Sequence, residues 1–188
     1  MNKSLIIACD GEAASGKSTG AKLLSKKYKL LLLNSGLLYR YASKILITKK
    51  PKKPILYLKK KFSRISYNFI KKQSLHSQEI SNHVGYLAKN KSVREIMRIY
   101  QKRLIKKNKR ICVEGRDIAT KILNKNPKYD LAFYFTCKVN IAAKRTKMDK
   151  KRKHSPLKKV NDAILIRTDR LSKKEVLRRM SNEVDKKI

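Results

Sequence analysis

Eight residues near the start of the chain, Gly11-Glu12-Ala13-Ala14-Ser15-Gly16-Lys17-Ser18, satisfy the pattern G-x-x-x-x-G-K-[ST]. Gly11 and Gly16 let the backbone of Ala13, Ala14 and Ser15 turn its N–H groups inward, where they cradle phosphate oxygens. Lys17 then reaches the β- and γ-phosphates, the Ser18 hydroxyl is the Mg²⁺ ligand, and Thr19 closes the segment. Such a loop, lying directly between an apolar run and a helical pattern, implies a nucleoside triphosphate ligand. Two more polar segments follow apolar runs in the same way: Asn34-Ser35-Gly36-Leu37-Leu38-Tyr39-Arg40 and Glu114-Gly115-Arg116-Asp117. The chain has only six glycines, and four of them, Gly11, Gly16, Gly36 and Gly115, lie in these three segments. In an open parallel sheet ligands bind beyond the carboxyl ends of the strands. The three segments are therefore expected to line one crevice, with Arg40, Arg116 and Asp117 where a substrate would lie.

The elements that must position these residues alternate between strand and helix. Ser4–Cys9 is an apolar run suited to a strand buried on both faces. Lys29–Leu33, Arg110–Glu114, Leu131–Thr136 and Asp162–Ile166 give four more. Helical spacing of apolar residues marks the stretch after Lys17 (Ala21, Leu24, Tyr28) and Ser92–Lys106. Ser172 and Glu175 form a capping-box pattern ahead of a last helix whose apolar face holds Val176, Leu177, Met180 and Val184. The expected fold is α/β, a five-stranded parallel sheet with flanking helices. Thr48–Leu87 breaks this rhythm with Pro51, Pro54 and a lysine run. Its β-leaning segments, Ile65–Ile70 and Ser74–Ile80, are expected to form a small sheet of their own.

Length and charge bound the rest. A chain of 188 residues fits one domain with a small insertion. Lys and Arg number 50 against 13 Asp and Glu, a formal charge of +37. Of those 50, only 13 are Arg, and the Lys residues are spread along the whole chain, as on a solvated surface rather than a nucleic-acid arm. No specific nucleic-acid partner is expected, and no aromatic-rich single-strand platform is evident. No apolar run approaches the length of a membrane span, so a soluble, cytoplasmic chain is expected. Cys9, Cys112 and Cys137 lack any metal-binding spacing and are expected as reduced thiols packed in apolar runs. His76, His83 and His154 sit in basic stretches and are expected on the surface, as is Glu12.

Taken in order, the motifs resemble those of the bacterial cytidylate kinases, in the nucleoside monophosphate kinase group of P-loop NTPases. The matching stretches are Ala8–Thr19, Asn34–Arg40, Val93-Arg94 with Gln101, Glu114–Thr120, Asp149–Leu157 and Asp162-Ala163. The resemblance implies phosphoryl transfer from ATP, with Mg²⁺, to CMP or dCMP by a monomer. It implies that Ser35, Tyr39, Arg40, Arg94, Gly115, Arg116 and Asp117 line the monophosphate site, Arg40 and Arg94 gripping the phosphate. Asp117, with Arg116, would recognise the nucleoside, and Asp149 would lie near the sugar. Lys17, Arg145 and Arg152 would be catalytic, the two arginines neutralising charge on the group in flight. The implied division is a core of residues 1–47 and 88–188, an inserted monophosphate-binding region at 48–87, and a shortened lid at 138–156.

The chain departs from the family pattern at Asn34 and at Arg167, where Asp is usual, and at Gly85, where a Ser normally helps to read the base. Only Cys137–Met148 separates the fourth strand from Asp149, so Arg145 aligns either with the lid arginine or with the end of the preceding helix. A lid this short is expected to exclude water poorly, giving slower transfer or more ATP hydrolysis. Two other readings remain open: a kinase of the same scaffold acting on another monophosphate or a small alcohol, and a weakly catalytic basic RNA-binding protein.

Overall fold

The computed structural model describes residues 3–138, 142–151 and 155–188, the side chain of Arg145 excepted. Thirteen strands and helices follow one another in these residues: β1 (Leu5–Gly11), α1 (Lys17–Lys27), β2 (Leu31–Asn34), α2 (Ser35–Lys49), α3 (Pro54–Arg64), α4 (Tyr67–Lys71), α5 (Gln78–Leu87), α6 (Lys91–Lys107), β3 (Arg110–Glu114), β4 (Leu131–Thr136), α7 (Ala143–Lys150), β5 (Ile164–Arg167) and α8 (Lys173–Asp185). A π-helical turn, Ile118–Ile122, follows β3. None of the described helices is long and apolar enough to cross a membrane. The chain forms two compact units, one of residues up to Asn34 and from Ile105 onward, the other Ser35–Leu104.

The first unit carries the sheet. All four strand pairings are parallel, in the order β2-β3-β1-β4-β5. β1 is central and almost wholly buried, as its unbroken apolar run requires. Leu5, Ile7 and Cys9 of β1 join Phe133 and Phe135 of β4 in a core closed by Ala21 and Leu24 of α1 and by Val176, Met180 and Val184 of α8. α8 begins as its sequence predicts: Ser172 Oγ accepts from Glu175 N, and the Glu175 carboxylate accepts from Ser172 N. The five-stranded parallel sheet with flanking helices is thus present. Cys9 and Cys112 are buried free thiols with sulfurs 3.6 Å apart, while Cys137 is half-buried.

The regular elements of the second unit are all helices, and here an expectation fails. Ile65–Ile70 and Ser74–Ile80 form no sheet; they give the turn into α4 and the start of α5. The reason is capping. Ser66 Oγ accepts from Phe69 N at 3.2 Å and Ser77 Oγ from Ile80 N at 3.2 Å, which satisfies backbone donors that a strand would have sent to a neighbour. The apolar residues then bury at helical spacing, Leu58 with Phe62 and Tyr67 with Ile70. Pro54 stands at the start of α3, where its missing N–H costs nothing. Phe62 meets Tyr41 and Tyr100 edge to face, at 6.0 and 5.4 Å between ring centres. His76 is exposed as expected, but His83 is half-buried beside Tyr86, and His154 lies outside the described residues.

Candidate active site

The loop from Gly11 to Ser18 leaves the end of β1 and enters α1. Gly11 is fixed by crowding as well as by conformation. A Cβ there would stand 2.3 Å from the Phe135 carbonyl oxygen, and its φ is +148°. Gly16 has φ +72°, the left-handed turn that precedes the first residue of α1. Ser15 and Lys17 are buried, whereas Ser18 and Thr19 are exposed at the N-terminal turn of α1. The loop is held in place by side chains beneath and beside it. Ser15 Oγ donates to Glu12 O, Thr168 Oγ1 donates to Ser15 O, and Ala13 N donates to Thr146 Oγ1 at 3.1 Å.

Lys17 is 8% exposed, and its Nζ lies 3.8 Å from Glu114 Oε2. Burial lowers the pKa of the ammonium, and Glu114 opposes that effect. Asp10, the residue before Gly11, is buried too. Its two oxygens accept from Ile118 N and Ala119 N, each at 2.8 Å, which ties the end of β1 to the π-helical turn after Asp117. Burial pushes the Asp10 carboxyl up to about 7, against the pull of those two amides.

Arg116 links three segments. Its Nε donates to Asp149 Oδ2 at 2.7 Å, and its Nη1 donates to Gly11 O at 2.8 Å and Glu12 O at 3.1 Å. Gly115 N donates to Cys9 O, and Asp117 is buried beside this group. Asp149 comes from α7, and the same helix supplies Thr146 to Ala13 and Lys150 to Glu12. Glu12 is therefore not a solvent-facing bystander. Its carboxylate accepts from Lys150 Nζ at 2.8 Å and from Thr136 Oγ1 at 3.0 Å. Burial alone would raise its pKa, but these donors outweigh burial and hold it below the ordinary value. In a loop shaped for phosphate, an added negative charge is tolerated because Lys150 neutralises it.

Within the second unit, Arg40 Nη1 donates to Leu75 O and to Ser81 Oγ, each at 3.0 Å. Arg94 Nη1 donates to Ala88 O, and its guanidinium lies 5.9 Å from the centre of the Tyr39 ring. Ser35 is buried at the start of α2. Arg152 and the side chain of Arg145 lie outside the described residues. Sequence does not single out Asp10, Thr146, Lys150 and Thr168 as site residues, because each acts through tertiary contacts with or beside the loop, and it gives Glu12, within the loop, no role. Asp10 alone had a signal, a carboxylate inside an otherwise apolar strand.

A phosphate loop with a buried lysine, set beside an Arg–Asp pair at strand ends, suits a nucleotide-dependent transfer. The cytidylate kinase family profile matches residues 7–147. The chain belongs to the cytidylate kinase family. It is 33% identical, over its whole length, to the bifunctional pantoate ligase/cytidylate kinase of Prochlorococcus marinus (strain MIT 9312), and spans only 44% of that protein. It is 30% identical to the cytidylate kinase of Geobacillus sp. (strain WCH70), with both chains covered in full. That alignment runs over 227 positions against the 188 residues present here, so this member of the cytidylate kinase family lacks segments that its relative has. Among solved structures, an uncharacterized protein from Eubacterium ventriosum ATCC 27560 shares the fold, with a TM-score of 0.53 at 16% identity over 98% of this chain and 99% of that one.

Proposed function

We propose that the protein transfers the γ-phosphoryl group of ATP to CMP or dCMP, giving the corresponding diphosphate. The buried Lys17 beside Glu114, in a loop where Gly11 has no room for a side chain and Gly16 takes a left-handed turn, is the observation that carries this reading within the family. The loop amides and Lys17 hold the ATP phosphates, and the substrate phosphate oxygen attacks in line without a protein nucleophile. Arg40 and Arg94 grip the monophosphate, and Asp117 with Arg116 recognises the nucleoside. Arg145 and Arg152 offset charge on the transferring group.

Mg²⁺ fits the residues present. Among the described residues, no group of three or more His, Cys, Asp or Glu surrounds a common point, as an all-protein cage would need. Mg²⁺ is usually held by substrate phosphates and few protein oxygens, and the exposed Ser18 hydroxyl at the head of α1 is such an oxygen. When bound, the ion supplies charge neutralisation at the phosphates. The family resemblance supports a cytoplasmic monomer as part of this reading.

The test is Mg²⁺-dependent ADP formation with CMP, dCMP, UMP and AMP in turn, for the wild type and for Asp117→Ala. CMP or dCMP is expected to be preferred, and Asp117→Ala to lower kcat/KM by about tenfold to a hundredfold, as for loss of a charged hydrogen bond. A preference for AMP would overturn the substrate assignment.

A further inference from the structure

Residues 35–104 carry eighteen Lys and Arg and only two acids, Glu79 and Glu95, and no Asp or Glu occurs between Glu12 and Glu79. Charge this one-sided raises the local concentration of any polyanion, but alone it specifies no site. The helices of this unit add one. Tyr57, Lys60, Lys61 and Arg64 recur on α3 at helical spacing and so share one face, while Leu58 and Phe62 are buried in the core. That face, with Ile65, Ser66 and Phe69, lines a pocket of about 700 Å³. No carboxylate lines it. Lys60, Lys61 and Arg64 are exposed and make no ion pair among the described residues. Phe69 is 49% exposed, yet its ring is held by an edge contact with Tyr41, 6.2 Å between centres. The neighbouring pocket on α3 differs: it is lined by Ile55, Ile96 and Ile99 and contains the Glu95 carboxylate.

We propose that the α3–α4 pocket binds single-stranded nucleic acid, a base packing on Phe69 and Tyr57 while Lys60, Lys61 and Arg64 hold flanking phosphates. The chemistry selects this ligand. Free phosphate would use the cations and leave the aromatic groups idle, and duplex would keep its bases stacked inside. A single strand presents both a π-face and a charged backbone within one nucleotide. Binding is independent of base identity, because every base has a face to stack. This function goes beyond nucleotide phosphorylation and uses none of the side chains named for it, although the pocket lies within residues 48–87, the region implied to bind the monophosphate. The exposed Lys59, Lys71 and Lys72, on α3 and at the end of α4, extend the electrostatic attraction.

The experiment is fluorescence anisotropy with end-labelled oligo(U) and oligo(dT) of about eight nucleotides, matched to the site sizes of single-strand binders. An abasic strand of equal length and charge is the control. At physiological salt both base-bearing strands are expected to bind more tightly than the abasic strand, the tighter of the two identifying the natural source as RNA or DNA. Phe69→Ala is expected to weaken oligo(U) binding by about fivefold to a hundredfold and to leave abasic binding unchanged. The triple change Lys60→Gln, Lys61→Gln, Arg64→Gln alters only exposed positions and tests the idea independently of Phe69. It is expected to reduce the slope of log affinity against log salt by about two, at roughly 0.7 per phosphate contact. Saturating ATP and CMP are expected not to displace the strand. Equal binding of abasic and base-bearing strands, an unchanged salt slope, or displacement by CMP would each overturn the proposal.

Discussion

Arg116 Nε and Asp149 Oδ2 lie 2.7 Å apart, joining the end of β3 to α7 across the phosphate loop. Asp149 is 1% exposed, and the guanidinium that neutralises it also caps the carbonyls of Gly11 and Glu12. One side chain thus fixes the loop, the strand end and the helix that follows β4. Removing Arg116 would take a close cation from the buried Asp149 carboxylate and a donor from the carbonyls of Gly11 and Glu12, of which Glu12 O keeps Ser15 Oγ.

Arg116→Met is accordingly expected to cost about 3 kcal/mol of stability, as when one partner of a buried pair is deleted. Urea unfolding of wild type and variant measures it. Arg116→Lys keeps the charge but loses the planar fork, so an intermediate loss is expected. A loss below about 1 kcal/mol for Arg116→Met, the range of exposed pairs, would show that the contact does not organise the loop.

Asp10 gives stability a pH dependence of opposite sign to the usual carboxylate. Its pKa rises from 3.8 to about 7 because burial penalises the charged form. Between these values the folded chain keeps a proton that the unfolded chain has released, so the unfolded state binds fewer protons. The Asp10 contribution is therefore fully present below about pH 4 and is lost as the pH rises to about 7, a change of about 4 kcal/mol. Asp10→Asn cannot titrate. The stability difference, wild type minus Asp10→Asn, is expected to fall steadily from pH 5 to pH 7.5, and a flat difference would refute the assignment.

Gly85 lies inside α5, and a Cβ there meets nothing within 4 Å. Gly85→Ser is expected to stabilise the protein by about 0.5 kcal/mol, the difference in helix propensity between the two residues. We propose that the same change also supplies the hydroxyl that the family resemblance implies for reading the base. A lower KM for CMP at constant kcat is the expected kinetic result, and steady-state assays across CMP concentrations check it.

We propose that residues 138–156 act as a lid shorter than the family's, one that shields the transferring group incompletely. ATP hydrolysis without CMP should then be a measurable fraction of the transfer rate, and should rise further in Lys150→Gln, which loosens α7 from Glu12. Parallel measurement of ADP and CDP formation separates the two fluxes. Equal ADP and CDP in both proteins would count against an incomplete lid.

The sheet was legible in the sequence because burying a strand on both faces, as in β1, β3 and β4, demands a run of apolar residues, and the less buried β2 and β5 show short apolar runs too. Loop chemistry was legible for a similar reason: only glycine tolerates the carbonyl of Phe135 at 2.3 Å from a Cβ at Gly11, and Lys17 sets a long cation at the head of α1. The helical state of Ile65–Ile70 and Ser74–Ile80 is not legible from composition, because apolar, β-branched and aromatic residues nearby suggest strands, while the decisive signal is the placement of Ser66 and Ser77 as caps. Only the tertiary structure decided what Glu12, Thr146 and Lys150 do. Thr146 and Lys150 are more than 130 residues from Glu12 in sequence and reach the loop because α7 packs on it. Local sequence determines the turns and runs that short-range sterics and burial impose, whereas the pairing of charges across the chain follows from the packing that brings them within hydrogen-bond reach.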